Sequence, residues 1–270
     1  MELPQFSLEG KVAVVTGASR GIGEATAMLL AKVGADVVVV SRDQDQLERV
    51  AHTIGEHGRR AVPIAAHLGR LDQLAPVIDR TVAELGRLDV LVNNAGTNFF
   101  APAIDMDERG WDSIMNLDLK GLFFLSQAAA RYMKDNGGGT IVNVSSLTGI
   151  DAQLNTGHYS IAKAGVIMAT KVMALEWAAF GIRVNSVAPG TVDTRLLNAA
   201  LEVLPADLAE RTLEQMRNVT PMGRLGEPSE IADAILYLAT PASSYVTGQT
   251  FAVDGGAALH AATNAIRHDV

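Results

Sequence analysis

The sequence predicts an α/β fold, a single doubly wound domain built on a seven-stranded parallel sheet with helices on both faces. Three observations predict it. Short β-branched runs alternate with longer amphipathic stretches, the order that a helix-flanked parallel sheet requires. Those runs are nearly continuous in Val and Ile, as strands covered on both faces must be. No shift of composition, charge run or Pro/Gly/Ser linker divides the 270 residues, so one domain is expected across residues 1–270.

The elements run in chain order. Val12–Thr16 is the first strand and runs into a glycine turn that opens a helix over Gly21–Val33. Asp36–Val40 is the second strand, and Asp43-x-x-Gln46 reads as a capping box opening the helix Gln44–Glu56. Ala61–Ala65 is the third strand, succeeded by a helical stretch over Leu71–Leu85. Val90–Asn93 leads to a long helical stretch, Glu108–Met133. Gly137–Gly139 is a loop before the strand Thr140–Val144. A second long helix, His158–Phe180, precedes the strand Arg183–Ala188. Arg195–Arg217, between Pro189 and Pro221, falls outside the alternation. Its apolar positions from Leu196 to Met216 make it a helical insertion, read either as packing on the core or as a lid. The helix Ser229–Ala239 and the strand Thr250–Val253 complete the pattern.

Composition removes whole classes of function. At 48% hydrophobic and 19% charged, the chain is built to bury a core. A formal net charge of −8 argues against nucleic acid or an anionic membrane as partner. Without a single Cys there are no disulfides, thiolate zinc sites or cysteine nucleophiles. The six histidines show no ligand spacing, so no catalytic metal is expected. Met1–Lys11 lacks the features of a signal peptide and no apolar run would span a bilayer, so a soluble, cytoplasmic protein is expected.

The segment Thr16-Gly17-Ala18-Ser19-Arg20-Gly21-Ile22-Gly23 joins a strand to a helix N-terminus. Such a turn offers free N–H groups and a positive dipole end to a pyrophosphate. Gly17, Ser19, Arg20, Gly21, Ile22 and Gly23 are therefore candidate cofactor residues. The same stretch fits G-x-S-x-G, a hydrolase nucleophile elbow with Ser19 as nucleophile. That reading lacks an upstream strand–helix loop to complete an oxyanion hole. At the tip of the second strand stand Ser41 and Arg42. A basic tip favours the 2′-phosphate of NADP(H) over the 2′-hydroxyl of NAD(H), and Arg20 can assist. NAD(H) remains the alternative cofactor, since Asp43 could be taken for an acidic ribose ligand; its capping reading is preferred.

Tyr159 and Lys163 lie four apart in a helical stretch, about one turn apart on one face. An ammonium beside a phenol favours phenolate, which predicts a Tyr159 pKa lowered from about 10 toward working pH. The pair would then serve as a general acid–base toward a carbonyl or alcohol oxygen.

Together with Asn93-Asn94-Ala95-Gly96, Asn116, Ser145-Ser146, Pro189-Gly190-x-x-x-Thr194 and Asp254-Gly255-Gly256, these motifs resemble the short-chain dehydrogenases/reductases with a single Rossmann domain. The resemblance runs from Gly10 to about Gly256. Met222-Gly223-Arg224-Leu225-Gly226-Glu227-Pro228 looks like the 3-oxoacyl-carrier-protein reductase branch. The resemblance implies that Tyr159 is the acid–base, and that Lys163 lowers its pKa and holds the nicotinamide ribose together with it. It makes Ser146, rather than Ser145, the hydrogen-bond donor to the reacting oxygen. Asn116 would position a water in a proton relay to Lys163. Asn94, Ala95 and Gly96 would support the adenosine side. Pro189 and Gly190 are implied cofactor residues, and beyond them Val192 and Thr194 would hold the nicotinamide carboxamide. His67, with Leu68 after it, stands where most relatives carry an Asp toward adenine.

The implied activity is NADP(H)-dependent interconversion of a carbonyl and a secondary alcohol. The substrate is expected to resemble a 3-oxoacyl thioester; a sugar, polyol or simple ketone is the alternative. Asn98, Phe99, Phe100, Asp151, Gln153, Leu154 and His158 are candidate substrate walls. The resemblance also implies a homotetramer built on the two long helices and the last strand. Residues 257–270 extend past the family's usual end, and a reach toward a neighbouring subunit is expected of them.

Overall fold

A computed structural model describes residues 3–202 and 205–260. Seven parallel strands form one sheet: β1 (Val12–Thr16), β2 (Asp36–Ser41), β3 (Ala61–Ala65), β4 (Val90–Asn93), β5 (Gly139–Val144), β6 (Ile182–Pro189) and β7 (Thr250–Val253). Their order is β3-β2-β1-β4-β5-β6-β7. The direction of strand addition reverses between β1 and β4, which pair through Val14 and Leu91. A ligand crevice belongs at that reversal, beyond the carboxyl ends of the strands.

The β-branched runs feed two cores. Along β1, Val12 and Val14 join one buried cluster while Ala13 and Val15 join the other, as the two-residue period of a strand requires. The first cluster is closed by α3 (Leu74–Leu85), α5 (Leu122–Asp135) and α6 (Gly157–Trp177). The second is closed by α1 (Gly21–Lys32), α2 (Gln44–Glu56) and α9 (Pro228–Ala239). Helix α2 has Asp43 as N-cap, its carboxylate accepting the Gln46 N–H at 3.1 Å. The Gln46 side chain also reaches that carboxylate. Asp43 therefore caps its helix, and its acceptors are used locally.

Two departures from the expected pattern matter for the site. The stretch expected as one helix from Glu108 is α4 (Glu108–Ile114), a π-helical segment (Met115–Gly121) and then α5. The insertion after β6 is two helices, α7 (Arg195–Glu202) and α8 (Ala206–Asn218), joined through residues 203–204, which lie outside the described residues. A short helix, α10 (Ala257–His260), comes after β7, and the expected reach of the chain beyond it concerns residues 261–270, likewise outside. Among the described residues no helix is long and apolar enough to cross a membrane.

Polar side chains stitch the middle of the sheet. Asn93 donates to Asn143 and to Ser126, and Asn143 donates to Thr170, all at 2.8–2.9 Å and all buried. The ladder joins β4 and β5 to α5 and α6, so the strand ends that carry the site are held at fixed spacing.

Candidate active site

Beyond β1 the chain turns through Gly17, whose φ of +64° is a conformation L side chains rarely adopt. A Cβ there would stand 2.8 Å from Asn94 Nδ2 and 2.9 Å from the Ala95 backbone. Asn94 in turn donates to the Thr16 carbonyl, while Thr16 Oγ1 accepts from the Asn94 and Ala95 N–H groups. Asn94 and Ala95 thus lock β1 to β4 across the crevice. Helix α1 starts at Gly21 with no side-chain cap from Arg20, so its first-turn N–H groups are left for an anion. The loop after β6 closes the other side: Thr194 lies within 4 Å of the space above Gly21. Val192 is buried and held by a bridge to Gly226.

Arg20 and Arg42 are both exposed, and neither makes an ion pair among the described residues. Ser41 Oγ accepts from the Asp43 N–H. A cleft of about 520 Å³ next to the glycine turn is lined by Ser19, Arg20, Arg49, His52 and Arg195. Arg49 and Arg195 had no signal in the sequence: one sits on an ordinary polar helix face and the other in the insertion. Ser19 makes no hydrogen bond to His52 or Glu24 in this cleft, so nothing activates it as a nucleophile. His67 Nδ1 accepts the Gly69 N–H at 3.2 Å, which assigns the ring proton to Nε2 in the neutral form. Its backbone N–H is taken by Gln73. The crevice therefore fits a nicotinamide dinucleotide, with an uncapped helix end for its pyrophosphate and cations at its adenosine end.

The second half of the site lies beyond β5. Ser145 is committed to the sheet, donating to the Val187 carbonyl and accepting from Ser186. Ser146 opens a 3₁₀ turn (Leu147–Gly149), and its Oγ accepts from both Thr148 N–H and Thr148 Oγ1. That turn sits on α6 so tightly that a Cβ on Gly149 would stand 2.6 Å from the Lys163 carbonyl carbon. The approach brings Ser146 beside the Tyr159 hydroxyl, where it favours the ionised phenol. Tyr159 and Lys163 project from one face of α6, with Lys163 Nζ 5.4 Å from the tyrosine ring centroid. Lys163 is buried and donates to the Val144 carbonyl at 3.1 Å.

The side chain that meets Lys163 is Asp118. Asp118 Oδ2 lies 3.2 Å from Lys163 Nζ, and its Oδ1 accepts the Thr97 N–H at 3.1 Å. Asn116 lies two positions earlier on the same π segment, its backbone carbonyl 3.0 Å from where a Cβ on Gly121 would stand. The π segment is pressed against α6: a Cβ on Gly165 would stand 2.7 Å from the Leu119 side chain. One sequence signal was there to be read, an Asp set between Leu117 and Leu119.

Electrostatics correct a second expectation. Burial raises the Tyr159 pKa; Lys163 pulls it down, Asp118 pushes it up again, and the net is a phenol above its ordinary value rather than below it. Burial works against the Lys163 ammonium, but Asp118 and Tyr159 outweigh it and the Lys163 pKa rises. Burial also lifts the Asp118 carboxyl above the usual carboxylate range, against the pull of Lys163. His158 is buried against Phe99, ring centroids 4.3 Å apart, and burial holds its pKa below the ordinary value. Neither of its ring nitrogens makes a well-formed hydrogen bond, and Asn98 Oδ1 is likewise buried without one. The loop carrying Asn98 and Phe99 is tied to the start of α6 by the Ala101 N–H on the Asn155 carbonyl. Phe99, Phe100, Ile150 and Leu154 form an exposed apolar rim. Among the described residues no cluster of three His, Asp or Glu could hold a metal.

The arrangement can exchange a proton with an oxygen placed near Tyr159 and Ser146, next to a crevice shaped for a dinucleotide. The chain as a whole is similar to known proteins. A family model described as enoyl-(acyl carrier protein) reductase matches residues 17–258. The 2-dehydro-3-deoxy-D-gluconate 5-dehydrogenase of Escherichia coli is 41% identical, over 95% of this chain and 98% of that protein. A 3-oxoacyl-[acyl-carrier-protein] reductase of Thermotoga maritima is also 41% identical, over 92% and 98%. Among solved structures, a putative short-chain alcohol dehydrogenase of Sinorhizobium meliloti superposes with a TM-score of 0.87 at 39% identity, covering 94% of this chain and 98% of that one. On fold, motif order and identity over nearly its full length, the chain belongs to the short-chain dehydrogenase/reductase family, oxidoreductases that act on CH–OH and carbonyl groups.

Proposed function

We propose that the protein interconverts a carbonyl and a secondary alcohol with NADP(H), Tyr159 serving as acid–base. The observation that carries this reading is the grouping of Tyr159, Ser146 and Lys163 on the crevice side of β5 and α6, beside the glycine turn. When bound, the dinucleotide supplies or accepts the hydride. Ser146 donates to the substrate oxygen and fixes it near the phenol. Tyr159 gives that oxygen a proton in reduction and takes it back in oxidation. Lys163 holds the phenol in place and reaches the ribose hydroxyls. Gly17 to Gly23 receive the pyrophosphate, Ser41, Arg42 and Arg20 the 2′-phosphate, and His67 and Leu68 the adenine. Asn94, Ala95 and Gly96 wall the adenosine side, while Pro189, Gly190, Val192 and Thr194 seat the carboxamide.

The apolar rim of Phe99, Phe100, Ile150 and Leu154 supports a ketone with an apolar tail, of which a 3-oxoacyl thioester is one. A polyhydroxylated or sugar-acid ketone is the second reading, supported by Asp151 and Gln153, which are exposed between Ile150 and Leu154 of that rim and would meet hydroxyl groups. A panel of 3-oxoacyl thioesters, simple ketones and keto-sugars, each monitored by nicotinamide absorbance with NADPH and with NADH, separates the two. Absence of turnover on every member would overturn the reading.

For the cofactor, Arg42→Ala is expected to raise the Kd for NADPH about tenfold, the loss of one charge-assisted contact to phosphate. Its Kd for NADH is expected to stay within about twofold. Equal wild-type affinities for the two dinucleotides would remove the assignment.

The homotetramer rests on α6. Ile161, Met168, Val172 and Leu175 expose one apolar stripe along it, Leu175 at 83%. Phe124 on α5 is exposed as well. A stripe of that kind is a candidate subunit interface. Leu175→Asp is expected to convert tetramers to smaller species in light scattering on a sizing column. A wild-type monomer would sink the proposal.

A further inference from the structure

Asp118 carries an inference that rests on the acid–base reading and deepens it. Its carboxylate is completely buried, 3.2 Å from Lys163 Nζ. The Gly96 backbone closes over it so tightly that a Cβ there would stand 2.7 Å from Oδ2. The charged and titratable groups facing this centre are few. From α6 come Lys163, Tyr159 and His158; from the loop after β4 come the Thr97 N–H and Gly96; from the loop after β5, Ser146 faces Tyr159. His158 is held neutral by its burial. The remaining formal charges are one carboxylate and one ammonium, and they cancel. An amide at position 118 would leave Lys163 with its full positive charge beside the phenol. A carboxylate there spends that charge on itself.

We propose that Asp118 is a charge-setting positioning residue, which keeps the Tyr159 phenol protonated and so sets the site for reduction. At neutral pH the phenol O–H breaks and its proton passes to the carbonyl oxygen as the carbonyl carbon takes the hydride, and water then reprotonates the phenolate. Oxidation needs the phenolate first, to take the proton from the alcohol hydroxyl while the carbon gives up hydride. It is therefore confined to alkaline solution. The direction of the supporting shifts agrees, Asp118 raising the pKa of both Lys163 and Tyr159.

The test needs no substrate. Near-ultraviolet phenolate absorbance is titrated in wild type, Tyr159→Phe and Asp118→Asn, and subtracting the Tyr159→Phe curve isolates the one phenol of interest. In wild type that phenol is expected to ionise above about pH 10. In Asp118→Asn it is expected to ionise about one pH unit or more lower. Superimposable curves for Asp118→Asn and wild type would overturn the proposal. If Asp118→Asn does not fold, the wild-type curve decides alone: ionisation of Tyr159 below about pH 9 would overturn it. A carbonyl panel without turnover removes the acid–base reading and leaves the titration to be read on its own. Where the panel yields a working pair, the pH for half-maximal oxidation should fall in Asp118→Asn by the same amount as the phenol.

Discussion

Tyr159→Phe is expected to lose about a thousandfold in turnover, within the range that one positioned acid–base contributes. The substitution removes a single oxygen from a largely buried ring and leaves the ring where it packs. Lys163 keeps its hydrogen bond to the Val144 carbonyl and its ion pair with Asp118, and Ser146 keeps both contacts to Thr148. Nothing in the glycine turn or at the tip of β2 touches the lost hydroxyl. Dinucleotide affinity, measured by quenching of protein fluorescence, should accordingly stay within about twofold of wild type while turnover on the best substrate of the panel collapses. A variant that turns over normally would show that the proton comes from elsewhere.

Lys163→Met is expected to unfold far more easily, by about 3–5 kcal/mol, because it leaves a buried carboxylate without its partner. Asp118 is fully buried and Lys163 nearly so, which makes the site unusually intolerant of a lone charge. Adding Asp118→Asn to Lys163→Met removes the stranded charge, and most of the loss should return. Chemical denaturation of the two single variants and the double closes the cycle; strictly additive losses would mean that the two side chains are not coupled. The pH dependence has a definite sign. Lys163 and Tyr159 both hold protons more tightly when folded than their ordinary values near 10. Above about pH 10 the unfolded chain therefore sheds protons that the native state retains. Stability falls as pH climbs through the folded values, and the Lys163→Met variant should show a shallower alkaline decline.

Most of the scaffold could be read directly from the residues. The valine runs of β1, β2 and β4 are buried on both faces, so their composition alone marks them as central strands. The capping role of Asp43 was legible because a cap is a local bond between neighbours in sequence. Ser145 and Ser146 are adjacent in sequence but are separated in space by their partners: one hydroxyl bonds the strand β6, the other Thr148 in the turn after β5.

Two features were not legible, for physical reasons. That Asp118 meets Lys163 depends on the winding of the helix that carries it, and a π turn changes that winding without a periodic signature. The sign of the Tyr159 shift depends on how much water the folded chain excludes and on an acidic neighbour forty-one positions earlier. Proximity of an ammonium in sequence supplied only the smaller, opposing influence.

The π segment also bears on how such a site is gained or lost in descent. A π turn is an α-helix carrying a surplus residue. Excising one residue between Met115 and Gly121 would let the segment rewind as ordinary α-helix with the flanking helices in place, changing which of its side chains face α6. Asp118 could then be carried off the lysine while every chemically active group stayed in the polypeptide. A three-nucleotide deletion would thus rebalance the charge around the phenol without altering any of the reacting side chains, an event that scoring substitutions one by one would never count.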